Sequence, residues 1–86
     1  MTTKIAVIGG NGFIGSSLIK TLSEDKSYSI TCMDLDFGNI HDSSINKVKL
    51  DICDKEAVLR LVNGFDTVFI KASLLGNPAK TRNIEF

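Results

Sequence analysis

The chain has 86 residues, ten basic and ten acidic side chains, and an apolar fraction of 43%. This length allows one small domain at most, because domains usually hold on the order of 100–150 residues. The zero net charge disfavours nucleic-acid binding, which relies on a basic excess to neutralise phosphates. The chain is too apolar for a disordered protein, and no apolar run approaches the roughly 20 residues that span a bilayer.

Cysteine and histidine usage disfavours metal and disulfide chemistry. Cys32 and Cys53 are far apart and form no CxxC pair, and His41 is the single histidine. We therefore expect no metal ligands and no disulfide scaffold. A secretory signal is not expected either, because Asn11 interrupts the first apolar stretch and no small-residue cleavage site follows it. These features predict a cytoplasmic α/β protein.

The first half of the chain predicts a strand, a helix and a second strand. Residues 4–8 form a β-branched run that is typical of a strand buried on both faces. A helix follows from Asn11, and its apolar residues recur at helical spacing on one stripe: Ile14, Leu18, Ile19 and Leu22. Residues 29–33 predict the second strand, which ends at Asp34. Residues 35–46 have no clear period and predict a loop.

The second half repeats strand, helix and strand. Residues 47–50 predict a third strand, and Asp54 is placed to cap a helix that Gly64 ends in a left-handed conformation. The stripe of this helix is Ala57, Val58, Leu61 and Val62. Residues 67–70, running on to residue 72, predict a fourth strand, and Asn77-Pro78 predicts the start of a further helix. This order favours a parallel α/β sheet of about four strands, in the order 3-2-1-4, with two to three helices.

A glycine-rich turn with the sequence GGNGFIG joins the first strand to the first helix at residues 9–15. Gly9 permits a sharp turn, Gly12 leaves space for a pyrophosphate against the backbone, and Gly15 lets the helix lie close to the strand. Gly10, Gly12 and Gly15 also satisfy G-x-G-x-x-G, so the spacing alone leaves the variant open. A phosphate-binding loop of the nucleotidase type is excluded, because Ser16 stands where that loop requires lysine.

Two further features are typical of a dinucleotide-binding turn. The amide hydrogens of Phe13 and Ile14, unpaired at the helix start, would point at the phosphates along a favourable helix dipole. Asp34 ends the second strand about 20 residues after Gly15, where a carboxylate accepts the hydroxyls of the adenosine ribose. That carboxylate would repel a 2′-phosphate, and no arginine lies between residues 29 and 47, so we expect NAD rather than NADP. The alternative is a tight turn with an ordinary surface aspartate.

With these motifs in place, the chain resembles the NAD-dependent epimerase/dehydratase family of the extended short-chain dehydrogenase/reductase superfamily, over most of its length. The turn at residues 9–15 is the most specific match. Residues 50–54 are similar to the family's stretch after the third strand, and residues 65–73 are similar to its fourth strand. The resemblance implies a Rossmann-like fold, NAD as the cofactor, and a nucleotide sugar or similar molecule as the substrate.

The same resemblance implies three more cofactor contacts. The Asp51 side chain would take the adenine amino group, the Ile52 amide a ring nitrogen, and the strand end near Ala72 would pass the cofactor's ribose. Three positions depart from the family pattern. Ile8 stands where threonine is frequent, and Ile70-Lys71 stands where histidine followed by leucine is usual. Lys71 is either a strand-end lysine that reaches solvent or a cation near cofactor phosphate or an acidic partner.

We expect no catalytic residue in this chain. Family enzymes use a Tyr-x-x-x-Lys pair on a later helix, and the single tyrosine, Tyr28, is predicted at the amino-terminal end of the sheet, away from the ligand-binding edge. Cys32 is predicted to be structural, whereas Cys53 stays open, because a helix start can lower a thiol's pKa. A hydrolase triad is disfavoured, because the three adjacent loop residues lack a strand–turn–helix setting: His41, Asp42 and Ser43.

We therefore predict that residues 1–86 are the N-terminal part of an NAD(P)-binding Rossmann domain, truncated within a helix after the fourth strand. Its function would be to bind NAD within an epimerase/dehydratase-type oxidoreductase whose catalytic half is absent. The alternative is a non-enzymatic module that senses dinucleotide or binds a protein. The outer edge of the fourth strand is expected to be unpaired and apolar, which predicts self-association or a partner chain.

Overall fold

The computed structural model describes residues 2–71. Within them lie four strands and two helices: β1 (Thr3–Ile8), α1 (Phe13–Leu22), β2 (Tyr28–Asp34), β3 (Asn46–Lys49), α2 (Lys55–Val62) and β4 (Thr67–Ile70). The strands form one parallel sheet in the order β3-β2-β1-β4. This order confirms the predicted fold. Ala72 and the helix predicted from Asn77-Pro78 lie outside the described residues.

Strand β1 is the centre of the sheet. It pairs with β2 from Thr3 to Ile8 and with β4 from Ile5 to Ile8. The last four residues of β1 are at most 4% exposed. A parallel strand covered on both faces needs apolar side chains on both faces, which explains its near-continuous apolar run.

One face of the sheet, the α1 face, is covered by α1 and by residues 35–45. Its core consists of strand residues, one helix residue and two loop residues: Ile5, Val7, Ile30, Cys32, Ile19, Ile40 and Ile45. Residues 35–45 form a loop, as predicted. The structure adds that two loop isoleucines fill the place beside α1, so the loop completes the core without a second crossover helix.

The opposite face, the α2 face, is covered by α2. Its buried residues are Ala6, Ile8, Met33 and Leu50, and the predicted stripe of α2 packs against them. The Asp54 carboxylate accepts a hydrogen bond from the Ala57 amide at 3.1 Å, which confirms the predicted cap. Gly64 has φ +95°, which confirms the predicted left-handed conformation at the end of the helix.

The predicted apolar stripe of α1 is wrong at one position. Ile19 is buried and both Leu18 and Leu22 pack against the core, but Ile14 is 66% exposed. Helix α1 begins at Phe13, so Ile14 belongs to its first turn. Of the stripe, only Ile19 and the two leucines reach the sheet, and they lie one or two helical turns after Ile14. Ile14 therefore lies at the solvent-facing end of the helix.

Two glycines allow α1 to approach the end of β1 closely. A β-carbon on Gly15 would clash with the Gly9 carbonyl oxygen and would lie 2.8 Å from the Gly10 Cα. A β-carbon on Gly10 would lie 2.6 Å from Cys32 Sγ and 2.7 Å from Ile19 Cδ1. The absence of side chains at these two positions therefore sets the distance between helix, turn and sheet.

We predict that Gly15→Ala destabilises the fold by about 1–3 kcal/mol, because the new methyl group meets backbone atoms that cannot rotate away. Gly38→Ala is the control, since a β-carbon there would only make an ordinary 3.7 Å contact with Asp36 Oδ2. Urea unfolding followed by circular dichroism measures both variants. Equal midpoints for the two variants would contradict this account of the packing.

Candidate functional site

The glycine-rich turn lies at the carboxyl edge of the sheet, between β1 and α1. Gly9 has φ +79°, and its amide donates to the Met33 carbonyl at 2.8 Å, which continues the pairing of β1 with β2. The Gly12 amide donates back to the Gly9 carbonyl at 3.1 Å. The chain therefore reverses sharply at Gly9, as predicted, and the left-handed conformation there requires glycine.

The start of α1 presents free backbone donors. Gly12 is the N-cap in an extended conformation, with no side-chain cap, and the first intrahelical bond runs from the Ser16 amide to the Gly12 carbonyl at 2.8 Å. The amides of Phe13, Ile14 and Gly15 precede that bond, so they lack an acceptor within the helix. These donors, together with the positive end of the helix dipole, are suited to an anion.

The space beside these amides is open. Apart from its chain neighbours, a β-carbon on Gly12 would meet only the Gly9 carbonyl oxygen, at 3.4 Å. Beyond those neighbours, no side chain of the described residues therefore lies within 4 Å of a β-carbon at Gly12, on the side that the sequence assigns to a pyrophosphate. The residues present fit a bound diphosphate.

The structure also separates the two overlapping glycine patterns. Gly9 provides the sharp turn, Gly12 borders the open space, and Gly15 permits the close approach of the helix. Gly10 has no positive φ. Its lack of a side chain matters because a β-carbon there would meet Cys32 and the core of the α1 face. The variant that begins at Gly9 thus describes the turn.

Asp34 is directed at the turn. It ends β2 on the same side of the sheet as Ile30 and Cys32, the α1 face, because alternate residues of a strand share a face. Its Oδ2 accepts a hydrogen bond from the Asn11 amide at 3.0 Å, and its Oδ1 accepts one from the Leu35 amide at 2.6 Å. The carboxylate is half-buried and sits beside the uncapped helix start.

A lysine that the sequence analysis did not single out lies beside Asp34. Lys49 is paired with Asp34 in the register of β2 and β3, so the two side chains lie on the same face of the sheet. The expectation that no cation would bind a 2′-phosphate considered only arginines between residues 29 and 47, and Lys49 lies outside that range. Only the strand register reveals it.

The segment after β3 reaches the same edge. The Leu50 amide donates to the Asp34 carbonyl at 3.0 Å, which places residues 51 and 52 next to the end of β2. Asp51 is exposed, and its Oδ1 accepts a hydrogen bond from the Cys53 amide at 2.9 Å. The Ile52 side chain packs against the α2 face. The edge therefore gathers the turn, Asp34 and Asp51-Ile52, whereas Ala72 lies outside the described residues.

Other residues considered in the sequence lie apart from this edge. Tyr28 begins β2 and pairs with Thr3 at the amino-terminal end of the sheet, as predicted. A groove of about 850 Å³ lies between α1 and the loop at residues 39–45. Phe13 is the single predicted site residue that lines it. This groove runs alongside α1 and does not coincide with the predicted cofactor site.

The two cysteines differ in their surroundings. Cys32 is fully buried and Cys53 is exposed. Burial raises the pKa of the Cys32 thiol to about 11, and the nearby Asp34 carboxylate adds to the rise. Cys32 is thus a core residue, as predicted.

The model of the NAD dependent epimerase/dehydratase family matches residues 5–85 of this sequence. The chain belongs to this family. It is 30% identical over 73 residues to 2-alkyl-3-oxoalkanoate reductase of Stenotrophomonas maltophilia, an alignment that covers 85% of this chain and 22% of the reductase.

Solved structures agree with this assignment. The UDP-glucuronic acid 4-epimerase of Bacillus cereus, in complex with NAD, superposes with a TM-score of 0.70 at 26% identity, over 95% of this chain and 31% of the epimerase. A short chain dehydrogenase family protein of Francisella tularensis has the same fold, with a TM-score of 0.70 at 22% identity over 88% of this chain and 33% of that protein.

This member of the epimerase/dehydratase family therefore spans a fifth to a third of the length of the relatives it matches. Its described part is the dinucleotide-binding Rossmann fold of the family. Among residues 2–71, neither helix has the length and apolar character needed to cross a membrane.

We predict that iodoacetamide at pH 8 labels the folded chain once, at Cys53, because Cys32 is buried and stays protonated at that pH. Intact-mass spectrometry measures the number of adducts. Denaturation should raise the labelling to two adducts, and Cys53→Ser should take up none while folded. Rapid labelling of Cys32 in the folded chain would show that the α1 face is not packed as described.

Proposed function

We propose that this chain binds the adenosine diphosphate half of NAD at the carboxyl edge of its sheet. The observation that carries the proposal is the hydrogen bond from the Asn11 amide to Asp34 Oδ2, at 3.0 Å, because it sets a carboxylate beside an uncapped helix start. A diphosphate followed by a ribose diol matches that juxtaposition of donors and acceptor.

The diphosphate would rest against Gly9 and Gly12 and accept hydrogen bonds from the amides of Phe13, Ile14 and Gly15. These three groups have no intrahelical acceptor, and the space beside Gly12 is open. Hydrogen bonds to a charged acceptor contribute about 1.5–3 kcal/mol each in favourable cases. The exposed Phe13 side chain borders the same end of the helix.

The ribose would bind to Asp34, which has acceptor capacity beyond its two hydrogen bonds to backbone amides. A carboxylate accepts the 2′- and 3′-hydroxyls and repels a 2′-phosphate, so the preferred cofactor is NAD rather than NADP. Lys49, in register beside Asp34, is the cation that would favour a 2′-phosphate if the carboxylate were removed.

The adenine would lie over the segment after β3, at Asp51 and the Ile52 amide, and the ribose on the nicotinamide side would pass near Ala72. The bond from the Leu50 amide to the Asp34 carbonyl supports the first part, because it brings this segment beside the ribose-binding strand. The contact at Ala72 rests on the family resemblance alone.

For the whole protein we propose an oxidoreductase or epimerase that acts on a nucleotide sugar or a similar substrate. When bound, the nicotinamide supplies the hydride chemistry. The described residues would bind and orient the cofactor. The Tyr-x-x-x-Lys pair that handles the substrate proton would belong to a segment beyond residues 1–86, which would form the N-terminal part of the domain.

Reading the coding sequence past Phe86 tests whether such a segment follows. A stop codon there would favour a dinucleotide-sensing or protein-binding module instead.

Cofactor selectivity is the direct test of the site. We predict that Asp34→Ala weakens NAD binding roughly 10- to 100-fold, because the ribose loses its hydrogen bonds to a charged acceptor. The same variant should bind NADP better than the unsubstituted chain does, because it removes the repulsion between the Asp34 carboxylate and the 2′-phosphate while Lys49 remains. Equilibrium dialysis of the 86-residue chain against each cofactor measures both affinities.

Two controls sharpen this experiment. Asp36→Ala removes the same charge two residues further on, from an exposed position, and should change the affinity for NAD less than twofold. The double variant Asp34→Ala/Lys49→Ala should lose the gain in NADP binding. If Asp34→Ala binds both cofactors as the unsubstituted chain does, the assignment of the ribose site is refuted.

We also infer that the isolated chain self-associates through the outer edge of β4. Its cysteine usage favours the reducing cytoplasm as its location. The Lys71 amide donates to the Ile8 carbonyl at 2.8 Å, so Val68 and Ile70 turn their N–H groups away from β1. A strand of a second copy would pair with those groups.

Analytical ultracentrifugation without cofactor should therefore detect association that increases with protein concentration. Val68→Pro removes one outward N–H and should shift the chain towards monomer, because proline blocks pairing at a strand edge. Circular dichroism checks that this variant remains folded. A folded, unsubstituted chain that stays monomeric at all concentrations would refute the pairing.

A further inference from the structure

Two asparagines from distant parts of the sequence join the glycine turn to the loop after β2. The Asn39 backbone amide donates to Asn11 Oδ1 at 2.6 Å, and Asn39 Nδ2 donates to the Asn11 carbonyl oxygen at 2.8 Å. Both groups of Asn39 thus bind the same residue, 28 positions earlier in the chain. The pair forms a closed, two-bond link between the two loops.

The link continues to the carboxylate that carries the proposed function. The side-chain oxygen and the carbonyl oxygen of Asn11 each accept a hydrogen bond from Asn39. The Asn11 amide donates to Asp34 Oδ2 at 3.0 Å. Each of these three hydrogen bonds of Asn11 therefore ties the turn either to Asp34 or to Asn39. Loss of the Asn39 side chain removes the bond to the Asn11 carbonyl, whereas the backbone amide of residue 39 can still donate to Asn11 Oδ1.

The loop itself has a second anchor, which is independent of this link. Ile40 is 8% exposed and Ile45 is 4% exposed, and both belong to the core of the α1 face. Loss of the Asn39 side chain would leave these residues buried and the fold intact. Half-buried Phe37 packs against the same core, so the part that would gain freedom is the contact of residue 39 with the glycine turn, which borders the ribose position.

We propose that Asn39 is a positioning residue for cofactor selectivity, and this inference rests on the proposed function. Through Asn11, Asn39 holds the glycine turn and the Asp34 carboxylate in one arrangement, so that the carboxylate meets the ribose diol and opposes a 2′-phosphate. Asn39 itself need not touch the cofactor. Its effect is on how firmly Asp34 is oriented, because a charge that can rotate away discriminates less.

The test is the ratio of the affinities for NAD and NADP, measured by equilibrium dialysis of the 86-residue chain. We expect Asn39→Ala to lower this preference for NAD roughly 3- to 10-fold, because the variant loses about one neutral hydrogen bond that helps to orient Asp34. A purely structural defect would reduce the folded fraction and lower both affinities equally, so it would leave the ratio unchanged.

Further variants test the route through Asn11 and Asp34. Asn11→Ala removes the Oδ1 acceptor from the other side of the link and should lower the ratio in the same direction, which also covers the case of an Asn39 variant that fails to fold. In the Asp34→Ala background, Asn39→Ala should produce no further change. Asn63→Ala, an exposed asparagine at the end of α2, is the matched control and should leave the ratio as it is.

The outcomes separate the two proposals. If the unsubstituted chain binds neither cofactor, the proposed function fails, and this inference fails with it. If the chain prefers NAD and loses that preference in Asp34→Ala, but folded Asn39→Ala and Asn11→Ala retain the full ratio, the proposed function stands and the positioning role of Asn39 is overturned.

Discussion

Helix α1 lies so close to the turn after β1 that no β-carbon fits at Gly15 or Gly10. This close approach carries the helix start to the edge of the sheet, directly over the ends of β1 and β2. A side chain at Gly15 would meet backbone atoms of the turn, so it would push α1 away and move its first amides out of reach of the space beside Gly12. The position of these uncapped amides is therefore a consequence of backbone packing.

That arrangement leaves several local preferences unsatisfied. Helix α1 has no capping side chain and no acidic residue in its first turn, although both would stabilise it. Phe13 is 90% exposed and Ile14 is 66% exposed, next to these uncapped amides. By contrast, α2 follows the usual rules, with Asp54 as its cap and Glu56 in its first turn. Departures from local rules that gather at one end of one helix are typical of a ligand site.

The sequence predicted the parts of the fold that local patterns determine. The β-branched run of β1, the cap at Asp54 and the left-handed Gly64 each follow from a residue type and its immediate neighbours. The exposure of Ile14 was missed because a helical period does not say where the sheet ends. The contact of Asn11 with Asn39 and the pairing of Asp34 with Lys49 were missed because they depend on strand register and loop path, which leave no periodic signal.

The loop at residues 35–45 explains why the proposed ribose side of the site depends on the contact between Asn11 and Asn39. Parallel strands are usually joined by a helical crossover, yet β2 and β3 are joined by a loop that buries only Ile40 and Ile45. A crossover helix would hold the residues after Asp34 through its own backbone bonds. Here those residues lie on the surface except for half-buried Phe37, so their position depends on individual contacts, of which the two bonds to Asn11 reach the glycine turn. The proposed phosphate side of the site is thus determined by packing, and the proposed ribose side by a few polar side chains that can change without disturbing the sheet.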